Sequence, residues 1–248
     1  GMGMARQTGV AEKMFRTLAA AGVNIQMITT SEIKISVLVQ RDQALTALRA
    51  VHQVFDLEKP PANPVKPLPP PSARVDAADV VSRLQGLHME DLTIEDIALD
   101  PSQACVTIRG IPDQPGVAAQ VFEQVAAAGI FVDMIIQSCP SVEGAAALSF
   151  TVPQEQLELS VQVAKKIAAA MKCQAVTSSP KIGKLSVSGV GLRTHTGVGI
   201  RMFKALADAG INVDLINTSE VRLNVIVDGS QGANGLKKLQ EAFADVLR

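Results

Sequence analysis

Residues Thr196–Val227 read TGVGIRMFKALADAGINVDLINTSEVRLNVIV, and the same text returns elsewhere in the chain. Thr8–Val39 reads TGVAEKMFRTLAAAGVNIQMITTSEIKISVLV, identical at 16 of 32 gapless positions. Pro115–Ser138 reads PGVAAQVFEQVAAAGIFVDMIIQS. Each copy sets a glycine (Gly9, Gly116, Gly197) six residues before a phenylalanine (Phe15, Phe122, Phe203). A second glycine (Gly22, Gly129, Gly210) follows each phenylalanine by seven. Such fixed spacing over three copies marks one repeated supersecondary unit. In chain order the copies are units I, II and III.

The period of the apolar residues gives each unit a shape. In unit III, Leu185 and Val187 alternate as a strand, and Val198, Met202, Phe203 and Leu206 recur at helical spacing. Gly210 ends that helix. Val213, Leu215 and Ile216 predict a second strand, and Val221, Leu223, Val225 and Val227 a third. Ser230 to Val246 reads as a second helix. Unit II shows the same order: strand Cys105–Gly110, helix Gly116–Ala128, strands Phe131–Ser138 and Ala145–Val152, helix Gln154–Met171, strand Gln174–Ser178. The pattern is βαββαβ, an α+β ferredoxin-like unit with two helices on one face of an antiparallel sheet.

Units I and III lack strands within their own segments. The alternating run Leu92–Ile97 precedes unit II, and we expect it to close the sheet of unit III. The expected division is a truncated unit at 1–57, a Pro-rich linker at 58–75, an inserted unit at 99–180, and a discontinuous unit made of 92–98 plus 181–248. Unit I begins where its first strand should end, with Met2–Met4 as that strand's last residues, so a longer natural protein is expected. Its unpaired edge favours oligomerisation. The linker Glu58–Ser72 holds seven prolines in 15 residues, an extended spacer. Asp76–Leu87 reads as a short helix.

Composition excludes several functions. Lys and Arg total 23 against 24 Asp and Glu, a net charge of -1, so no basic nucleic-acid or membrane patch is expected. Seven Phe, no Tyr and no Trp leave almost no platform for stacking bases. No charge-free apolar run approaches the roughly 18 residues of a membrane span. Cys105, Cys139 and Cys173 are odd in number and form no CxxC pair, which fits reduced thiols and a cytoplasmic setting. They and the scattered His52, His88 and His195 give no metal-ligand spacing. No phosphate loop, dinucleotide fingerprint or nucleophile–base set is present, so no catalytic residue is assigned.

Anion chemistry is what remains. Each unit has a Gly-containing turn feeding a helix N-terminus: ARQTG at Ala5–Gly9, PDQPG at Pro112–Gly116, RTHTG at Arg193–Gly197. Unpaired N–H groups and the helix dipole there favour a carboxylate. Unit II adds Asp113 in the turn and Asp133 in the following strand, where units I and III carry Gln26 and Asp214. Carboxylates beside such a turn suit the ammonium of an amino acid. The competing reading is that the turns only cap helices. Thr29–Glu32 and Asn217–Glu220 form a second polar cluster, able to bind an amine or merely satisfy a turn.

These segments resemble the ACT-domain regulatory region of aspartate kinase. The resemblance rests on IPDQPGVAAQVFEQVAAAGIFVDMIIQS, LSFTVP at Leu148–Pro153, KLSVSGVGLRTHTGV, INTSEVRLNVIV and MITTSEIKISVLV, and it covers nearly the whole chain. It implies four ACT units in two tandem pairs, with unit I ending the first pair and units II and III forming the second. It also implies allosteric binding of end-product lysine and/or threonine, controlling the phosphorylation of aspartate in lysine, threonine and methionine synthesis. The kinase domain, with its ATP and Mg, is absent here. The family's effector residues carry over onto Asp113, Gln114, Gly116, Asp133 and Gln137 in unit II. They carry over onto Thr218, Ser219 and Glu220 in unit III, and Thr30, Ser31 and Glu32 in unit I. Phe131 and Ser138 depart from the family's asparagines and are expected to flank the unit II pocket. A structural dimerising subunit with vestigial pockets is the alternative.

Overall fold

The computed structural model describes residues 9–31, 34–57, 93–139, 145–190, 192, 197–219 and 221–247. The expectations for Met2–Met4, the linker, Asp76–Leu87, Glu32, His195 and Glu220 lie outside these residues.

Unit I consists of α1 (Val10–Ala20), the hairpin β1 (Met27–Ser31) and β2 (Lys34–Leu38), and α2 (Ala44–Val54). Phe15 and Leu18, three apart on α1, are buried and cover the sheet with Ile28. A strand β3 (Thr93–Asp100) comes next. Unit II then runs β4 (Gln103–Pro112), α3 (Val117–Ala127), β5 (Ile135–Gln137), β6 (Ala145–Pro153), α4 (Leu157–Ala170) and β7 (Ala175–Ser179). Unit III runs β8 (Ile182–Val190), α5 (Gly197–Asp208), β9 (Leu215–Thr218), β10 (Arg222–Asp228) and α6 (Gly232–Ala242).

The strands form two sheets. One has the order β3-β8-β10-β9, with β3 antiparallel to β8 from Thr93 opposite Val190 to Asp100 opposite Lys184. The other has the order β2-β1-β5-β6-β4-β7 and joins units I and II edge to edge. At that seam β1 meets β5 antiparallel, with Ile28 opposite Gln137 and Thr29 opposite Ile136. The lateral neighbour of unit II is therefore unit I, and tandem order does not set the sheet partner. Unit III instead packs its sheet face on unit II, where Cys105 and Met134 meet Ile182 and Ile226. All three units keep their helices on the faces away from this contact.

Phenylalanines carry the core across the seam. The Phe15 and Phe122 rings lie 5.5 Å apart, and Phe122 stands 6.0 Å from Phe150 in an edge-on arrangement.

Several elements differ in extent from the periodicity. Strand β4 does not stop at Gly110, because that glycine adopts φ +73° and forms a bulge, letting Ile111 and Pro112 resume the pairing. A Cβ on Gly110 would lie 2.5 Å from Gln174 Cγ, so only glycine fits. Strand β5 is shorter than Phe131–Ser138, because the Thr151 hydroxyl takes the Met134 N–H in place of a ladder carbonyl. Helix α4 starts after a 3₁₀ turn at Gln154–Gln156. Among the described residues, no helix is long and apolar enough to cross a membrane.

Candidate functional site

A small cleft opens at the seam between units I and II. Strand β4 delivers Pro112, Asp113 and Gln114 to one wall, and Gly116 turns the chain into α3. Gly116 has φ +90°, in the left-handed region that favours glycine. Helix α3 has no side-chain cap at its first turn, and Ala118 and Ala119 from that turn line the cleft. An uncapped helix start presents N–H donors and the positive end of the dipole.

Unit I supplies the facing wall with Phe15, Val23 and Ile25. Between the last two, Asn24 donates from Nδ2 to Asp113 Oδ1 at 2.8 Å. Gln137, opposite Ile28 in the seam, donates from Nε2 to the Ile25 carbonyl at 3.1 Å. The backbone N–H of Asn24 is itself held by Gln43 Oε1 at 3.3 Å. The cleft thus has an apolar floor, a helix N-terminus for an anion, and one carboxylate for a cation.

The predicted residues divide by unit. Asp113, Gln114, Gly116 and Gln137 line this one cleft. Asp133 sits elsewhere, 2.5 Å from Lys184 Nζ of unit III in a partly buried ion pair. Thr30 is buried, and its hydroxyl accepts the Ile135 N–H at 2.9 Å, so it knits the seam. Ser31 ends β1 opposite Lys34. Thr218 is exposed on β9, and Ser219 closes the turn into β10 by hydrogen bonding to the Arg222 carbonyl. Within that cluster Ser219 thus satisfies its own turn.

Phe131 and Ser138 do not flank the cleft as the resemblance implied. The Phe131 N–H donates to Gln156 Oε1 at 2.8 Å, just as Asn24 does to Gln43. Those two residues are equivalents on opposite sides of the seam, so Asn24, not Phe131, borders the Asp113 turn. The Ser138 hydroxyl is taken up by the Ala147 N–H at 3.0 Å. Sequence reasoning assigned no site role to Phe15 and Ile25, and Asn24 was seen only as keeping the family's asparagine where unit II has Phe131. The signal was available in the repeat, since Asn24 follows Gly22 by two, but not the knowledge that unit I would be the neighbour.

A family model described as ACT domain matches residues 1–55, 106–167 and 185–243. The chain belongs to the ACT-domain family. Its three matched segments correspond to the three ACT units. Curated relatives include an aspartokinase of Mycolicibacterium smegmatis, 36% identical over 165 residues, which are 66% of this chain and 39% of the relative. An aspartokinase of Thermus thermophilus is 37% identical over 154 residues, 62% of this chain and 38% of the relative. The chain thus spans about two fifths of the curated relatives it matches.

Solved structures agree. The aspartate kinase from Synechocystis superposes on 98% of this chain and 38% of its own, at TM-score 0.77 and 33% identity. The regulatory subunit of aspartate kinase from Thermus flavus matches over 61% of this chain and 99% of its own, at TM-score 0.58 and 36% identity. The ACT units here are similar to the regulatory region of aspartate kinases.

Proposed function

We propose that this chain is an amino-acid-sensing regulatory region of an aspartate kinase, with lysine and/or threonine as effector, bound at the cleft between ACT units I and II. The observation that carries the reading is the meeting of Asp113 with the uncapped start of α3. The effector's α-carboxylate takes the helix N–H groups, and its ammonium takes Asp113. A carboxylate offers about four lone-pair positions, so the Asn24 hydrogen bond leaves capacity for an ammonium. Gln114 and Gly116 shape the turn, and Gln137 fixes the opposite wall.

A ligand that bridges two units favours one mutual orientation, and it shifts a kinase only by its differential affinity for the two states. The phosphoryl transfer to aspartate, with ATP and Mg, is assigned to the kinase part of such proteins. We divide the regulatory region into a first ACT unit at 1–57, a linker at 58–75, an inserted unit at 99–180, and a unit built from 92–98 plus 181–248. Assembly with further copies through ACT units fits the sheet ends at β2 and β9, and the setting is taken to be cytoplasmic.

A dimerising scaffold with vestigial pockets is the second reading, favoured by the Asn24–Asp113 hydrogen bond, which already occupies one carboxylate oxygen. Thermal-shift scans against the protein amino acids separate the two. Selective stabilisation by lysine or threonine supports sensing. An unchanged midpoint with all of them, in a chain that forms a defined dimer, supports the scaffold.

A further inference from the structure

Units I and II carry the cleft, yet a side chain of unit III grips their seam. Asn217 stands on β9 and is only 2% exposed. Its Nδ2 donates to the Thr30 carbonyl, and its Oδ1 accepts from Thr29 Oγ1 at 3.1 Å. Thr30 in turn accepts the Ile135 N–H at 2.9 Å, the first residue of β5. Two residues further, Gln137 donates to the Ile25 carbonyl at 3.1 Å, and both line the cleft. A series of hydrogen bonds thus leads from the buried amide of unit III, through both strands of the seam, to the cleft wall.

The residue type suits this task. An asparagine head donates and accepts at once, so it can hold a carbonyl and a hydroxyl of the facing strand together. The equivalent residues in units I and II are Thr29 and Ile136, which lack a donor amide. A second anchor lies on the other side of the seam, where Lys184 of unit III pairs with Asp133, two residues before β5. Unit III therefore holds unit I through Asn217 and unit II through Lys184.

We propose that Asn217 is a positioning residue for the amino-acid cleft, fixing the register of β1 against β5 and so the distance between its two walls. The proposal rests on the reading of that cleft as an amino-acid site. A fully satisfied buried network holds one geometry, and loss of one partner loosens it. Because coupling is reciprocal, occupancy of the cleft must also tighten unit III on the seam, which makes unit III the element that feels the effector.

The test uses the full 248-residue chain and four proteins: the parent, Asn217→Leu, Asn217→Asp and Val227→Ala. Asn217→Asp keeps size and acceptor but loses the donor, and stands in should Asn217→Leu not fold. Val227 is buried in the helix-facing core of unit III, away from the seam, and its truncation controls for lost stability. Lysine and threonine are titrated calorimetrically, and amide exchange at Ile135 is followed by NMR without ligand. Both Asn217 variants should weaken the bound amino acid by about tenfold or more and speed Ile135 exchange by a similar factor. Val227→Ala should leave the Kd within about twofold. Parent-like Kd and control-like Ile135 exchange in the Asn217 variants would overturn the assignment while leaving the effector reading intact. No binding by the parent would overturn the effector reading and with it a role for Asn217 in effector binding, while the exchange data would still decide whether Asn217 sets the seam.

Discussion

Thr29 and Asn217 occupy the same position in units I and III, and they touch, the Thr29 hydroxyl donating to Asn217 Oδ1 across 3.1 Å. Two copies of one unit thus meet through equivalent residues on facing sheets. Thr29→Val removes the donor at nearly constant volume and leaves the Asn217 oxygen without it. We expect a loss of about 1 kcal/mol, read as a lower urea midpoint with an unchanged slope.

The seam also depends on aromatic packing. Phe15 is 1% exposed and its ring lies 5.5 Å from that of Phe122 in the neighbouring unit. Phe15→Ala should cost about 3–5 kcal/mol, since it removes a buried ring from a core shared by two units. Chemical denaturation measures the loss, and a drop below about 1 kcal/mol would mean that the two units do not share this core.

The thiols should separate by reactivity. Cys139 is exposed, whereas Cys105 is buried at the contact between units II and III. Burial pushes the Cys105 thiol above its ordinary range, assisted by the negative charge of Asp214 and opposed by a hydrogen bond with Thr107. Burial raises Cys173 as well. With a chromogenic disulfide reagent at pH 8, the exposed Cys139 should react in the native chain and Cys105 only after unfolding. Fast modification of Cys105 in the native chain would contradict the packed sheet faces.

Asp100 gives a pH dependence. Burial works to raise its pKa, but the Ser102 hydroxyl and N–H and the Lys184 charge outweigh burial and hold it below the ordinary 3.8. A depressed carboxylate adds stability that is fully present well above pH 3.8 and is lost as pH falls through the lower folded value. Asp100→Asn should therefore lower stability at pH 6 and narrow the gap to the parent near pH 3. Urea midpoints at the two pH values measure it.

Much of this architecture was legible in the repeat. Glycine at fixed distances from Phe15, Phe122 and Phe203 gave the helix starts and ends, because left-handed backbone at Gly9 and Gly116 and at Gly22, Gly129 and Gly210 leaves few other choices. The site was legible as residue types in a turn, which put Asp113, Gln114 and Gly116 together. Lateral neighbours were not legible. Any unit of this fold offers a second strand able to pair, and the period of the apolar residues is blind to which one does. The resemblance places Asp133 with the effector residues, whereas its carboxylate faces Lys184 of unit III. Asn24, which bonds Asp113 beside the cleft, and Asn217, which grips the seam, act on residues far away in sequence.

Calorimetric titration of lysine and threonine into the parent chain, Asp113→Ala and Phe131→Asn tests the central claim most directly. At least one amino acid should bind the parent saturably. Asp113→Ala should weaken it by about tenfold or more, the scale of a lost hydrogen bond to a charged group. Phe131→Asn, on the far side of the seam, should leave it within about twofold. No heat from either amino acid in the parent, or parent-like affinity in Asp113→Ala, would contradict an amino-acid site between ACT units I and II.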